Sequence, residues 1–181
     1  MIEDRLLIWK FKCGSSDALA RMYQKYKNDL LRLASALLND AGAAEDIVHD
    51  CFVSFAQSSR RLRVNGNLKC YLATSVANRA RNWNRAGLRR EINGLDEAEP
   101  VVSGSKRPEQ WLIYSEQLTQ LNNALAQISY EQREVIVLHL QGGMKFRAIA
   151  ELQGVSVNTV QSRYRYGLAK LRSILDSEAE L

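Results

Sequence analysis

Apolar residues recur along most of this chain at steps of three and four, the spacing that lines one face of an α-helix. Leu6, Leu7 and Trp9 mark a short helix over Ile2 to Lys12, which Gly14-Ser15-Ser16-Asp17 breaks while capping the next. From Ala18 to Leu38 the apolar side runs Leu19, Tyr23, Tyr26, Leu30, Leu33, Leu37, steps of four and three in alternation. A turn at Asn39-Asp40-Ala41-Gly42 precedes a third helix, Ala43 to Ser58, whose inner stripe is Ile47, Val48, Cys51, Phe52 and Phe55. A polar loop with a turn at Asn65-Gly66 follows. The fourth helix, from about Leu68 to Arg90, turns Leu68, Leu72, Val76 and Ala80 inward. A fifth, Trp111 to Ile128, carries Trp111, Leu112, Leu118, Leu121, Leu125 and Ile128.

The stretch from Ser129 to Leu175 has the clearest punctuation. Ser129 and Gln132 have capping-box spacing, so a helix should start at Tyr130, with Val135, Ile136, Leu138 and Leu140 buried. Gly142 and Gly143 stop it. Phe146, Ile149, Ala150 and Leu152 face inward on a short helix, and Gly154 permits the left-handed backbone of a tight turn. Val155 plugs the corner, and Ser156 caps a last helix with Val160, Tyr164, Leu168, Leu171 and Leu175 on its inner face. The acidic tail from Asp176 to Leu181 is expected to fray. These last two helices have helix-turn-helix form. Asn158, Thr159, Gln161, Ser162, Arg163 and Arg165 point outward or flank the core at the start of the last one. Amides and guanidinium groups placed there suit base edges in a major groove, and hydroxyls and arginines suit phosphates.

Charge sharpens this picture. The 181 residues carry a net charge of +5, and the isoelectric point is about 9.2, which suits a polyanionic partner. The distribution says more than the total. From Arg60 to Arg90 the basic residues are Arg60, Arg61, Arg63, Lys69, Arg79, Arg81, Arg85, Arg89 and Arg90, with no acid among them. Tyr71, Trp83, Asn78, Asn82 and Asn84 interleave with them. A basic run on a helix is ordinarily a solvated face. Its length, its freedom from acids and the interleaved rings turn the reading toward single-stranded bases and their phosphates. Residues 91–108 change character: acids cluster at Asp96, Glu97 and Glu99, and the chain's two prolines, Pro100 and Pro108, fall here. This reads as an interdomain linker, whose ends as a coil would average about 20–25 Å apart.

Cys13, Cys51 and Cys70 are odd in number and lie far apart, with no CxxC pair, and His49 and His139 are the only histidines. Neither a disulfide framework nor a structural zinc site is expected, and Cys51 reads as a core thiol. The N-terminus lacks a signal pattern and no apolar run is long enough to span a membrane, so the expected compartment is the reducing cytoplasm. The fold class is all-α, two small helical domains joined by a linker: residues 1–90, 91–108 and 109–181.

At this point the chain resembles the extracytoplasmic-function group of bacterial RNA polymerase sigma factors, of the sigma-70 family, built from regions 2 and 4 alone. The resemblance rests on AEDIVHDCFVSF (Ala44 to Phe55), LKCYLATSVANRARNWNR (Leu68 to Arg85) and QREVIVLHLQGGMKFRAIAELQGVSVNTVQSRYRYGLAKLR (Gln132 to Arg172). It implies that residues 1–90 form region 2, which docks on core polymerase, and that 109–181 form region 4. Asp46, His49 and Asp50 stand where the family's acidic D-x-x-Q-E helix meets the β′ clamp helices; histidine replaces glutamine and aspartate replaces glutamate. Contact with the β subunit is also implied. The resemblance gives −10 recognition and strand capture to Arg60, Arg61, Arg63, Asn65, Asn67, Lys69, Tyr71, Arg79, Asn82 and Trp83. It gives the −35 element to Ser156, Asn158, Thr159, Gln161, Ser162, Arg163 and Arg165. Promoter DNA and an anti-sigma factor covering both DNA surfaces are the further implied partners. The free protein is expected to be a monomer without cofactor, metal or catalytic residues, joining the nucleoid when bound to polymerase.

Two rivals belong beside this reading. A helix-turn-helix regulator acting without polymerase would account for the second half, but not for the acidic helix or the acid-free basic run. A metal-dependent phosphohydrolase would use the His49-Asp50 dipeptide, but no histidine precedes His49 and His139 lies in the other half.

Overall fold

The computed structural model describes residues 2–58, 67–92 and 112–179, and these form eight α-helices. They are α1 (Ile2–Lys12), α2 (Ser16–Leu38), α3 (Ala41–Gln57), α4 (Leu68–Ile92), α5 (Leu112–Ala126), α6 (Tyr130–Leu140), α7 (Phe146–Gln153) and α8 (Val157–Ala179). The caps lie where side-chain chemistry puts them. Ser15, Asp40 and Ser129 each accept a hydrogen bond from the backbone N–H three residues on, satisfying a donor that the first helical turn leaves orphaned. Asn39 ends α2 in the left-handed region (φ 55°), a conformation that asparagine tolerates better than most residues. Gly154 ends α7 at φ 67°, as the tight turn requires.

Helices α1–α4 make the first domain. α2 runs through its middle and packs on α1, α3 and α4. Met22, Tyr26, Leu30, Leu33 and Leu37 from α2 meet the α3 stripe of Ile47, Val48, Cys51, Phe52 and Phe55, and Leu68, Leu72, Val76 and Ala80 of α4. Helices α5–α8 make the second domain, with α6 and α7 both packed on α8. The two domains touch: α2 contacts α5 and α6, and α4 contacts α6. Their buried residues therefore join into one continuous apolar cluster. No helix among the described residues is long and apolar enough to cross a membrane.

The structure departs from the sequence reading at several positions. In α1 the buried apolar residues are Leu7 and Phe11, while Leu6 and Trp9 are exposed, Trp9 at 61%. One helical face cannot hold Leu6, Leu7 and Trp9 together, and the Leu7/Phe11 spacing of four wins. Leu140 is 60% exposed, because α6 ends there and the chain turns away at Gly142 and Gly143. Glu134 and Val137 are buried in its place. The tail does not fray at Leu175: α8 continues to Ala179. No glycine or proline stops it, and the Ser177 hydroxyl donates to the Ile174 carbonyl at 2.7 Å. The linker lies outside the described residues apart from Glu91 and Ile92, which extend α4.

Candidate nucleic-acid interface

The acidic residues of α3 sit where their spacing puts them. Asp46, His49 and Asp50 are all exposed, opposite the buried Ile47, Val48 and Cys51. Asp50 also reaches sideways: its carboxylate lies 3.7 Å from the Arg79 guanidinium of α4. Arg79 in turn donates to the Asp50 carbonyl at 3.2 Å and to the Ser54 hydroxyl. Arg79, expected on the −10 surface, thus clasps α3 to α4. Its side chain keeps about a third of its area in solvent.

Along α4, Tyr71, Asn78, Asn82 and Arg85 are exposed at steps of seven, four and three, which places them on one line. Trp83 flanks that line at 43% exposure. The Tyr71 ring rests against Phe55, with centroids 6.0 Å apart, and Phe55 stacks on Phe11 of α1 at 5.2 Å. Asn67 caps the helix start by accepting the Lys69 N–H at 2.9 Å, and the Lys69 ammonium pairs with Asp29 of α2 at 2.8 Å. Arg60, Arg61, Arg63 and Asn65 lie outside the described residues. Arg81 leaves the basic line altogether and turns to the second domain, as described below. Cys51 is buried, with its thiol aimed at the Leu72 carbonyl, and burial pushes its pKa up.

The helix-turn-helix is built as its turn residues imply. The Ser156 hydroxyl accepts the Thr159 N–H at 3.1 Å and lies 2.9 Å from the Thr159 hydroxyl. Both residues therefore serve first as the cap of α8. Asn158, Gln161 and Arg165 are exposed, and Ser162 and Arg163 are half-buried. The Arg163 guanidinium donates to the Gln153 side chain at 2.7 Å. Three further residues matter here. Tyr166 is exposed, and the Arg165 guanidinium lies 4.9 Å from its ring centroid, a cation–π contact on the exposed side of α8. His139 stacks on Phe146 with centroids 4.4 Å apart, meets Tyr164 edge-on at 5.1 Å, and has Nδ1 2.9 Å from the Met144 carbonyl. It thereby fixes α7 and α8 against α6. Glu134 is the third, buried on α6 at helical spacing between Tyr130 and Leu138. That spacing is the signal that marks it as a charge on an inner face.

Two family models match the chain, in the order region 2 then region 4. "Sigma-70 region 2" covers residues 22–90 and "Sigma-70, region 4" covers residues 118–171. Among curated relatives, the "Probable RNA polymerase sigma factor RfaY" of Xanthomonas campestris is 25% identical over 167 residues, 90% of this chain. The chain spans 41% of that longer protein. The "ECF RNA polymerase sigma factor SigK" of Mycobacterium ulcerans is 26% identical over 172 residues, covering 91% of this chain and 89% of that one. Among solved structures, CnrH in complex with the cytosolic domain of CnrY superposes with a TM-score of 0.69 at 22% identity, over 97% of this chain and 98% of that one. CnrH is an RNA polymerase sigma factor of Cupriavidus metallidurans. That likeness carries the fold: an all-α chain of two helical domains. With both regions matched in order over two-thirds of its length, the chain belongs to the sigma-70 family of RNA polymerase sigma factors, in the extracytoplasmic-function group.

Proposed function

We propose that this protein is an alternative sigma factor that binds core RNA polymerase and directs promoter recognition and DNA melting at transcription initiation. The observation that carries the proposal is the packing of α3 on α4, bridged by Arg79. An exposed acidic edge (Asp46, His49, Asp50) stands beside a line of ring, amide and guanidinium side chains (Tyr71, Asn82, Arg85, with Trp83 flanking). The acidic edge suits the β′ clamp helices, and the α4 line suits a melted −10 strand. The outer face of α8 (Asn158, Gln161, Ser162, Arg165) suits the −35 major groove, with Arg163 at its side. On this reading residues 1–90 work as region 2, 91–108 as linker and 109–181 as region 4. The chemistry is binding and unstacking, not covalent catalysis. Extruding a base costs a few kcal/mol, which stacking and phosphate contacts along α4 offset. The site of action is the cytoplasm, at the nucleoid once polymerase is bound. An anti-sigma protein is a fitting further partner, since CnrH was solved with the cytosolic domain of another protein, CnrY.

The test is binding of the purified chain to bacterial core polymerase by fluorescence anisotropy, wild type beside Asp46→Ala/Asp50→Ala. Both carboxylates are exposed, so the variant should keep its helical content. Tight wild-type binding, with a loss of about 2–5 kcal/mol in the variant, supports the acidic edge as the dock. A folded wild type that does not bind core polymerase overturns the proposal and leaves a duplex-binding regulator as the better account.

A further inference from the structure

Besides the apolar packing of α2 on α5 and α6, the two domains meet through one short polar contact set among longer ones, which include the Arg133 guanidinium of α6 donating to the Leu37 carbonyl of α2 at 3.4 Å. On the α4 edge facing α6, the Cys70 thiol approaches the Gly142 and Gly143 carbonyls at 3.8 and 3.6 Å, and the Thr74 hydroxyl lies 3.8 Å from the Met144 sulfur. These are long, sulfur-mediated contacts. The packing around them is close: a Cβ added at Gly142 would lie 3.3 Å from the Ala73 Cβ. Farther along the same edge, the Arg81 guanidinium reaches across to α6 and α7. One nitrogen donates to the Glu134 carboxylate at 2.8 Å and the other to the Leu152 carbonyl at 3.3 Å. Glu134 is 2% exposed. Its other partners are neutral groups of its own domain: the Gln153 amide at 2.7 Å and the Tyr130 hydroxyl at 3.4 Å. The cation paired with this buried carboxylate therefore comes from the other domain. Separating the domains strips a desolvated charge of that cation, which is far more costly than breaking an ion pair in solvent.

We propose that Arg81, seated on Glu134 and the Leu152 carbonyl, is a latch that holds the two domains closed in the free chain and must let go when polymerase is engaged. The release half rests on the sigma-factor reading. Elements near −35 and −10 lie about 25 base pairs apart, roughly 85 Å of duplex at about 3.4 Å per step. The longest helices of either domain, 25 and 23 residues, are only about 35–38 Å long. Domains in contact cannot grip both elements, so the gripping form is an open one. A closed, latched population lowers apparent affinity for any partner that takes the open form, by the fraction of chain that is open. The latch also touches the reading head. Gln153, which holds the second oxygen of Glu134, accepts the hydrogen bond from Arg163 of α8. Withdrawal of Arg81 leaves Arg163 as the cation connected to Glu134 through a single amide.

The experiment uses the full chain as wild type, Arg81→Ala and Glu134→Gln. Small-angle scattering reads domain separation, circular dichroism reads helical content, and anisotropy reads core polymerase affinity without DNA. Wild type should scatter as one compact particle. Both variants should gain radius and maximum dimension at unchanged helical content, the open-to-closed ratio rising at least tenfold. They should bind core polymerase up to tenfold more tightly, although Arg81→Ala removes a positive charge from a basic helix. If Glu134→Gln loses helical content, Arg81→Ala, on a side chain already part-exposed, decides alone. An extended wild type, or an Arg81→Ala chain as compact as wild type, overturns the latch. Variants that open without gaining affinity overturn its link to polymerase. A wild type that does not bind polymerase refutes the sigma reading, while scattering still reports on the latch.

Discussion

Replacing Asp4 by alanine should loosen α1 from the first domain and cost the whole chain about 2–3 kcal/mol. The Asp4 carboxylate is buried and accepts the Tyr26 hydroxyl at 2.7 Å and the Lys25 ammonium at 2.9 Å. A hydrogen bond to a charged group contributes about 1.5–3 kcal/mol, and a buried hydroxyl stranded by its loss costs about 1–3 kcal/mol. The Tyr26 bond is lost outright. Lys25 keeps Glu3 at 2.6 Å, so little of its contribution disappears, and the total stays near the single-bond figure. At about 2–4 °C per kcal/mol for a chain of this size, the melting midpoint should fall by about 4–12 °C. Urea denaturation followed by circular dichroism measures the first number, and hydrogen exchange at the α1 amides locates it. If the loss is below about 0.5 kcal/mol, with α1 amides protected as in wild type, then α1 is held by Leu7 and Phe11 alone and the polar account of its docking is wrong.

The same carboxylate gives a pH dependence. Burial alone would raise the Asp4 pKa, but hydrogen bonds from Lys25 and Tyr26 outweigh it and hold the value below the ordinary range. A depressed folded value adds stability that is complete above the unfolded pKa, about 4, and is lost as pH falls through the folded one. Urea midpoints for wild type and Asp4→Ala should therefore differ at pH 7 and converge below about pH 4. Gly167→Ala should destabilise by about 1 kcal/mol in the same assay, although alanine ordinarily favours a helix by about 0.5–1 kcal/mol over glycine. Its Cβ would lie 2.9 Å from the Ile136 Cδ1 and 3.1 Å from the Gln132 Cβ, which overpacks the α6–α8 contact. Arg79→Ala should cost under about 1 kcal/mol of stability, because its ion pair is long, at 3.7 Å, and the Asp50 carboxylate is 64% exposed. If Arg79 also holds a phosphate, the log–log salt slope for a single-stranded oligonucleotide should shallow by about 0.7, and an unchanged slope would confine it to clasping α3 to α4.

Helix start and stop signals were legible from the sequence because they are local. Ser129 and Gly154 act within four residues of themselves, and the structure places a cap and a left-handed turn there, whereas Asp40, read as part of a turn, caps an α3 that starts at Ala41 rather than Ala43. The apolar stripes of α3 and α4 were equally plain, since each helix buries a single face. Legibility fails where a position answers to a distant element. Arg81 reads as one more cation in a basic run, and only α6 and α7, more than fifty residues on, turn it inward. Glu134 is the complementary case. Leu140 falls in phase with no more than a helix end, and Trp9 loses to Phe11 because α3 offers a ring, Phe55, at the right height. The exposed line on α4 could be listed residue by residue from the sequence, yet Lys69 and Arg79 have partners on α2 and α3 that no spacing rule supplies.

The run of ring contacts from Phe11 through Phe55 to Tyr71 bears on how readily α4 could hold a flat ligand. A free tyrosine on a helix surface samples several rotamers, and immobilising such a side chain costs about 0.5–1.5 kcal/mol of conformational entropy. Tyr71 leans on a buried ring at an interplanar angle of 59° while over a third of its area remains open. Much of its freedom is already spent in folding, so a base settling on the outer face would find a surface that is set before it arrives. The first helix, remote from that surface and before the start of the region 2 match, supplies the far end of the support.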